Sequence, residues 1–186
     1  MAETIEPGYI RSARATFTRP SDTNAYAVAD AIANSTTAGS VIPMSFRVAK
    51  NNGGTGKIIG SQLLTDSATA FGAIRLHLFN RAPFAVAGYQ ADNSALALTY
   101  AAMLTGAADQ SADGYGVPNK LPLIDFTTFT AYTTSAMSIG VCDQTELDFM
   151  CAPDSQLIYG LLEARAIFTP ASAQNFSAML SVEGVS

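Results

Sequence analysis

The feature that most constrains the fold is an alternation of side chains with a period of two, repeated in short segments along the chain. It is clearest in residues 73–79, where aliphatic side chains alternate with Arg75, His77 and Phe79. Residues 13–18, 41–48 and 137–141 repeat the pattern, and residues 157–166 and 176–182 also read as strands. This period is typical of a β-strand that buries one face.

The strand-like segments number eight or nine, at spacings of about 10–20 residues, with turn residues between them. They predict an all-β chain, an antiparallel β-sandwich of jelly-roll type. Residues 51–56, Asn-Asn-Gly-Gly-Thr-Gly, predict a hairpin turn between two of the strands. One short helix is expected at residues 99–106, between Thr99 as N-cap and Gly106 as the terminating glycine, followed by an exposed loop over residues 107–118. Without βαβ alternation, a nucleotide-binding α/β sheet is excluded.

The domain organisation is expected to be simple. Residues 1–11 predict an extended N-terminal arm with Pro7 and Gly8 as breaking residues, and residues 12–186 predict a single β-sandwich domain. The acidic start has no apolar run of the kind a secretory signal requires, which indicates synthesis in a host cytoplasm. No stretch reaches the roughly 18 apolar residues of a membrane-spanning helix.

Charge and composition exclude several classes of function. Only 13% of the residues are charged, and ten basic against fifteen acidic residues give a net charge of −5. We therefore expect neither direct nucleic-acid binding nor a polybasic membrane surface. The apolar content of 48% is too high for a mainly disordered chain.

Few residues are available for metal or nucleophilic chemistry. His77 is the single histidine, and a zinc site at Cys142 and Cys151 would need two more ligands. Two small buried side chains are favoured over a disulfide for these cysteines. Residues 53–57, Gly-Gly-Thr-Gly-Lys, lack the spacing of a phosphate-binding loop and precede a strand.

The carboxylates offer weak alternatives. Glu163 and Arg165 share a strand face and predict a surface ion pair. Asp143, Glu146 and Asp148 offer calcium ligands, but a solvated loop is the favoured interpretation because the spacing is not that of an EF-hand. A sandwich hydrolase would have to use Glu163 or His77, and we predict no catalytic residue, metal or cofactor.

The basic residues are unevenly distributed. Arg11, Arg14 and Arg19 lie near the N-terminus, whereas acidic residues are concentrated in residues 143–154. This polarity would suit docking onto an acidic partner or head-to-tail contact between copies, although ordinary scatter explains it equally well.

Five blocks in order carry a family resemblance. They are residues 17–26 (FTRPSDTNAY), 71–80 (FGAIRLHLFN), 82–83, 157–165 (LIYGLLEAR) and 168–172 (FTPAS). Together they resemble a family of small structural proteins of tailed bacteriophages, which serve as head decoration, or cement, proteins. The resemblance runs from about residue 17 to the C-terminus, and its blocks are structural rather than catalytic.

The resemblance implies a protein on the outer surface of the virion that stabilises the capsid by bridging neighbouring capsomers. Its partners would be the major capsid protein and further copies of itself, forming a homotrimer. Arg11, Arg14 and Arg19 are candidate capsid contacts because basic residues cluster near the N-terminus, and not because of the resemblance. The alternative is a receptor- or carbohydrate-binding sandwich of a phage tail or fibre. In that case sugars would stack on exposed tyrosines such as Tyr89, Tyr100, Tyr115 and Tyr132.

Overall fold

The computed structural model describes residues 9–37, 39–68, 72–82, 91–96, 120–142 and 146–185. Eleven strands occupy these ranges: β1 (Tyr9–Thr18), β2 (Ala31–Ile32), β3 (Met44–Arg47), β4 (Thr55–Thr65), β5 (Ile74–Phe79), β6 (Lys120–Phe126), β7 (Phe129–Tyr132), β8 (Met137–Cys142), β9 (Leu147–Met150), β10 (Leu157–Ala164) and β11 (Asn175–Val185). A 3-10 turn, Thr133–Ser135, lies between β7 and β8. The predicted helix at residues 99–106 and the loop at 107–118 fall outside the described residues.

The strands form two antiparallel sheets. Sheet 1 has the order β1-β11-β4-β8-β7, with β9 also paired to β4. Sheet 2 has the order β2-β10-β5-β6, with β3 also paired to β10. The predicted all-β antiparallel sandwich is therefore confirmed.

The pairing follows one long ribbon folded over on itself. The first strand pairs with the last, β2 and β3 pair with β10, β4 pairs with β8, and β5 pairs with β6. Wrapping this ribbon brings β11 beside β4 in sheet 1 and β10 beside β5 in sheet 2. This is the jelly-roll arrangement, in which two Greek keys share two sheets.

The core lies between the sheets and consists of the inward-facing side chains of the strands. Each strand contributes every second side chain, such as Ala13 and Ala15 from β1 or Leu76 and Leu78 from β5. Large side chains at the centre are almost fully buried: Phe46, Ile58, Leu63, Phe126, Phe176 and Leu180. Burial of this apolar surface contributes about 25 cal/mol per Å² and is the main force that holds the sheets together.

Sheet 2 is buried on its outer face as well. Phe79, Tyr159 and Leu161 point away from the core, yet they pack in a second apolar cluster with Ala31 and Leu96. The segment that carries Leu96 is hydrogen-bonded to the edge of the sheet, where Ala31 donates to Ser94 and Leu96 donates to Ala29. The two sheets are therefore not equivalent, because the outward-facing side chains of β5 and β10 are covered.

Two sequence expectations differ from the structure. The glycine-rich residues 51–56 do not close a hairpin, because β3 belongs to sheet 2 and β4 to sheet 1. The loop crosses between the sheets, and Gly53, with φ of 71°, donates its N–H to Ala152 and Ser155. The arm boundary also differs, because β1 begins at Tyr9 and includes Arg11. Within its described ranges, the structure has no helix of the length and apolar content that crossing a membrane requires.

Candidate functional site

The outward-facing side of sheet 1, which we call the open face, carries several exposed apolar side chains. Ile10 on β1, Val141 on β8 and Met150 on β9 are large hydrophobic residues with about half or more of their surface accessible. They alternate with core residues on their strands, so they point away from the core. Val141 and Met150 lie far apart on this face, because their β4 partners Gln62 and Thr55 are seven residues, about 23 Å, apart.

Several charged side chains of the open face lie around Lys57. Lys57 on β4 lies directly opposite Glu183 of β11 on one side and Asp148 of β9 on the other. Its amino group also lies 3.7 Å from a carboxylate oxygen of Glu146. Three acidic groups surround one amine, so this part of the open face carries a net negative charge.

A depression of about 350 Å³ opens in this face. It lies where the β4–β11 register shifts, since Ser181 is opposite Gly60 but Val182 is opposite Ile58, which leaves Ile59 as the extra residue of a β-bulge. Its walls include Gln62, Val141 and Met179. A bulge distorts the ladder locally and re-aims side chains, which explains the depression in an otherwise regular sheet.

The three arginines predicted as capsid contacts do not form one site. Arg14 lies on the open face, where its Nε donates to Ser177 Oγ at 2.7 Å. Arg11 has the opposite parity on β1 and turns inward, and its guanidinium donates to the Ala49 carbonyl at 3.0 Å. Arg19 lies beyond the strand and is only 2% exposed, so it is not available as a surface contact.

Arg19 is the centre of a buried polar cluster. Its guanidinium donates to Asp92 at 3.0 Å and to Tyr26 Oη at 2.9 Å, and it also contacts Asp22. Tyr26 in turn donates to Asp92, whose carboxylate also accepts from the Ala33 N–H at 2.8 Å. Burial raises the pKa of Tyr26. Each buried polar group shown here has a partner, and such a cluster fixes the position of the loops that carry it.

A second polar cluster lies on the covered outer face of sheet 2. His77 Nε2 is 2.5 Å from Glu163 Oε2. The predicted Glu163–Arg165 contact is present at 3.0 Å, but its predicted place on the surface is wrong, because Glu163 is buried. Burial raises the pKa of Glu163, but the hydrogen bonds with His77 and Arg165 outweigh it and hold that pKa below its ordinary value. Arg75 forms two hydrogen bonds with Asp125 on β6, at 2.6 and 2.8 Å, and this contact lowers the pKa of Asp125.

Both cysteines are buried, and neither forms a disulfide. Cys142 is opposite Ser61 on β4, whereas the Cys151 N–H bonds to Gly54. Seven residues of strand separate these two positions by about 23 Å, and a disulfide needs Cα atoms about 4.4–6.8 Å apart. The interpretation as two small buried side chains is therefore confirmed.

The remaining candidates are scattered. Of the four tyrosines considered for sugar stacking, Tyr132 is half-exposed at the β7 edge, and Tyr89, Tyr100 and Tyr115 fall outside the described residues. Asp143 also falls outside them, and Asp148 lies in β9 rather than in a loop. Within the described ranges, no three residues of metal-ligating type lie together.

The acidic partners of Arg19 and Arg75 were not predicted from the sequence. Asp92 is 73 residues from Arg19, and Asp125 is 50 residues from Arg75. No local spacing links these pairs, since each depends on which strands and loops the fold brings together. A signal that could have been used is the alternation in residues 121–126, which places Asp125 on the outward face.

Comparisons with known proteins give little. No protein-family model matches the chain, and no curated protein matches it. Among solved structures, a match is found to a chain described as the capsid asymmetric unit of cyanophage Pam1, with 14% identity and a TM-score of 0.33. The match covers 97% of this chain and 87% of that one. At this TM-score the likeness carries no argument about fold or function.

Proposed function

We propose that the protein is a capsid decoration protein that docks on a phage shell through the open face of sheet 1. The observation that carries the proposal is the contrast between the two outer faces. On sheet 2 the outward-facing Phe79 and Leu161 are buried under chain, whereas on sheet 1 Ile10 and Val141 remain exposed. A sheet face that exposes apolar side chains is suited to a protein partner.

The identity of the partner rests on the sequence resemblance. In the structure its blocks lie in contact: residues 71–80 include β5, residues 157–165 include β10, and these strands pair over six positions. Tyr26 from the first block packs on Phe168 from the last, with ring centroids 5.0 Å apart. The blocks thus build the covered sheet and its polar clusters, which support the open face from behind.

The proposed role is mechanical rather than catalytic. A decoration protein on the outer surface would stabilise the shell by contacting neighbouring capsomers, with the depression beside Val141 receiving a side chain of the major capsid protein. Buried anchor side chains near the centre of an interface supply most of its binding free energy. The proposal includes association of the copies into a homotrimer.

The test is binding of the purified chain to shells assembled from the major capsid protein, with a matched pair of variants. Val141 and Val28 are each 53% exposed, but Val28 lies in the turn before β2, away from the open face. We expect Val141→Lys to abolish binding and Val28→Lys to leave it unchanged. Equal binding by both variants would refute docking through the open face.

A companion measurement separates the alternative. If the unmodified chain fails to bind shells but binds a glycan through a surface that includes Tyr132, the receptor-binding interpretation replaces the decoration role. Quantification of the chain in virions by mass spectrometry adds a check, because decoration requires a copy number close to that of the shell protein.

A further inference from the structure

The outer edge of β1 is an unpaired strand edge within the described part of the chain. β1 pairs continuously with β11 on one side over all ten residues, and no described strand pairs with its other side. Proteins commonly protect such an edge with proline, a bulge, a very short strand or charged side chains. β1 has no proline and no bulge in its register with β11, and its charged side chains are Arg11 and Arg14.

The direction of the free backbone groups follows from one hydrogen bond. The Arg19 N–H donates to the Gln174 carbonyl in register with the β1–β11 ladder, so the odd-numbered residues of β1 face β11. Antiparallel ladders alternate strictly between bonded and non-bonded pairs. The N–H and C=O groups of the even-numbered residues from Ile10 to Thr18 therefore point toward the free edge.

A cleft of about 460 Å³ runs beside this edge. One wall is β1, including Arg14, Phe17 and Thr18, and the other is the β2–β3 connection, including Asn34, Ile42 and Pro43. The backbone of an extended segment placed beside β1 would hydrogen-bond to the unpaired N–H and C=O groups of β1. Every second side chain of that segment would then point into this cleft.

Charge complementarity points to the occupant. Residues 1–8 of this chain, Met-Ala-Glu-Thr-Ile-Glu-Pro-Gly, carry Glu3 and Glu6 three residues apart. Arg11 and Arg14 are also three apart on β1, and an odd spacing places the members of each pair on opposite faces of a strand. One antiparallel register therefore sets Glu3 opposite Arg14 on the outer face and Glu6 opposite Arg11 on the inner face.

The remaining positions of that register are compatible with pairing. Ile5 comes opposite Ser12, and the small Ala2 comes opposite Ala15 beside the cleft. Pro7 comes opposite Ile10, where its missing N–H ends the added ladder. Ser12 and Arg14 keep both backbone groups available for Ile5 and Glu3.

The register cannot form within one chain. It would place Gly8 opposite Tyr9, its neighbour in sequence, with no residues left for a turn. A two-residue turn at Pro7 and Gly8 would instead set Met1 opposite Arg14 and lose both charge pairs. Proline also cannot adopt the positive φ that begins the turns favoured in tight hairpins.

We propose that residues 1–8 of one copy pair as an added antiparallel strand with the free edge of β1 in a second copy. The inference concerns contact between copies and is independent of capsid binding. Arg14 uses its Nε in the bond to Ser177 and Arg11 one terminal nitrogen in the bond to Ala49. A guanidinium has five N–H donors, so each side chain has further donors for a carboxylate. Pairing of β1 with β1 of another copy in the register centred on Arg14 is disfavoured, because two arginines would lie opposite each other; deletion of residues 1–8 distinguishes the remaining β1–β1 registers from the proposed pairing.

The test uses two variants that should not associate with themselves but should associate with each other. Ser12→Pro removes an N–H from the free edge while leaving the bonds to β11, and deletion of residues 1–8 removes the added strand. We expect each to be monomeric by light scattering, close to 19.4 kDa for Ser12→Pro and eight residues lighter for the deletion, and an equimolar mixture to form a one-to-one complex. Ser12→Ala, which keeps the N–H, should associate like the unmodified chain.

A charge exchange supplies a second measurement that does not depend on proline being tolerated. Arg14→Glu should weaken association about tenfold, and adding Glu3→Arg should restore it. A monomeric unmodified chain, a mixture that stays monomeric, or association that survives deletion of residues 1–8 would each overturn the inference. Shell binding by a monomeric chain would overturn this inference alone, whereas association without shell binding would refute only the decoration role.

Discussion

His77 and Glu163 form a hydrogen-bonded pair diagonally across β5 and β10, with Nε2 and Oε2 2.5 Å apart and both side chains buried. The residue directly opposite Glu163 is Arg75, and the residue directly opposite His77 is Leu161. A diagonal pair on one face of a sheet is within reach of long side chains. This pair links the two strands at the centre of the covered sheet.

The lowered pKa of Glu163 predicts a loss of stability in acid. An acid whose pKa is lower in the folded state than in the unfolded state stabilises the fold above its ordinary pKa, near 4.5. That contribution is lost as the pH falls through the lower, folded-state value. We expect Glu163→Gln to cost about 1–3 kcal/mol at neutral pH, since His77 and Arg165 lose their anionic partner, and to flatten the acid dependence.

Urea denaturation between pH 3 and pH 7 measures this effect. Glu183→Gln is the matched control, because Glu183 is exposed on β11. If the two variants showed the same pH dependence, the pair would contribute nothing specific to stability.

The Arg19 cluster predicts strong coupling between distant residues. Arg19→Met leaves the buried carboxylate of Asp92 without its cation, and we expect a loss of about 3–5 kcal/mol. Adding Asp92→Asn to that variant should recover part of the loss, because the amide oxygen can still accept from Tyr26 and Ala33 without carrying a charge. A double-mutant cycle followed by urea unfolding checks this, and strictly additive losses would contradict it.

Two glycines of β4 predict opposite outcomes for the same substitution. A Cβ at Gly56 would lie within 3 Å of the Phe149 ring and in collision with the Glu183 carbonyl, whereas at Gly60 the nearest atom is 3.8 Å away. Overpacking of this kind costs about 1–3 kcal/mol or more, so Gly56→Ala should lower the melting temperature and Gly60→Ala should not. Thermal unfolding of both variants, monitored by circular dichroism, is sufficient to decide.

The cysteines predict two thiols that react only after unfolding. Burial raises the pKa of the Cys151 thiol to about 11, so little thiolate is present at neutral pH. A thiol reagent should label neither cysteine rapidly in the native protein and both in denaturant, without prior reduction. Labelling of fewer than two thiols in denaturant would indicate the disulfide that the strand positions exclude.

The strands could be predicted from the sequence, but their partners could not. Alternation in residues 74–79 and 157–164 identified β5 and β10 because each strand places opposite chemistry on its two faces. The same pattern gave no information that the outward face of β5 is also covered, since this depends on Leu96 reaching the sheet. The prediction of a hairpin at Gly53 was wrong, because glycine content indicates a tight bend but does not indicate which sheet each flanking strand joins.

The candidate site was predicted less well for a similar reason. Arg19 looks like a surface residue in sequence, because its position after a strand and before proline is typical of an exposed turn. Its burial depends on Asp92 and Tyr26, which reach it only after the loops assemble. Arg14 alternates with Ala13 and Ala15 along the strand and could therefore be placed on the opposite, exposed face, and the structure confirms that placement.

The pairing of β1 with β11 has a consequence for how the protein is made. During translation β1 leaves the ribosome early, and its partner is completed at Val185, close to the C-terminus. At 5–20 residues per second this interval is about ten to forty seconds. Both edges of β1 are open throughout that time, so the nascent chain exposes an unpaired strand, and any product truncated before β11 leaves β1 without a partner in sheet 1.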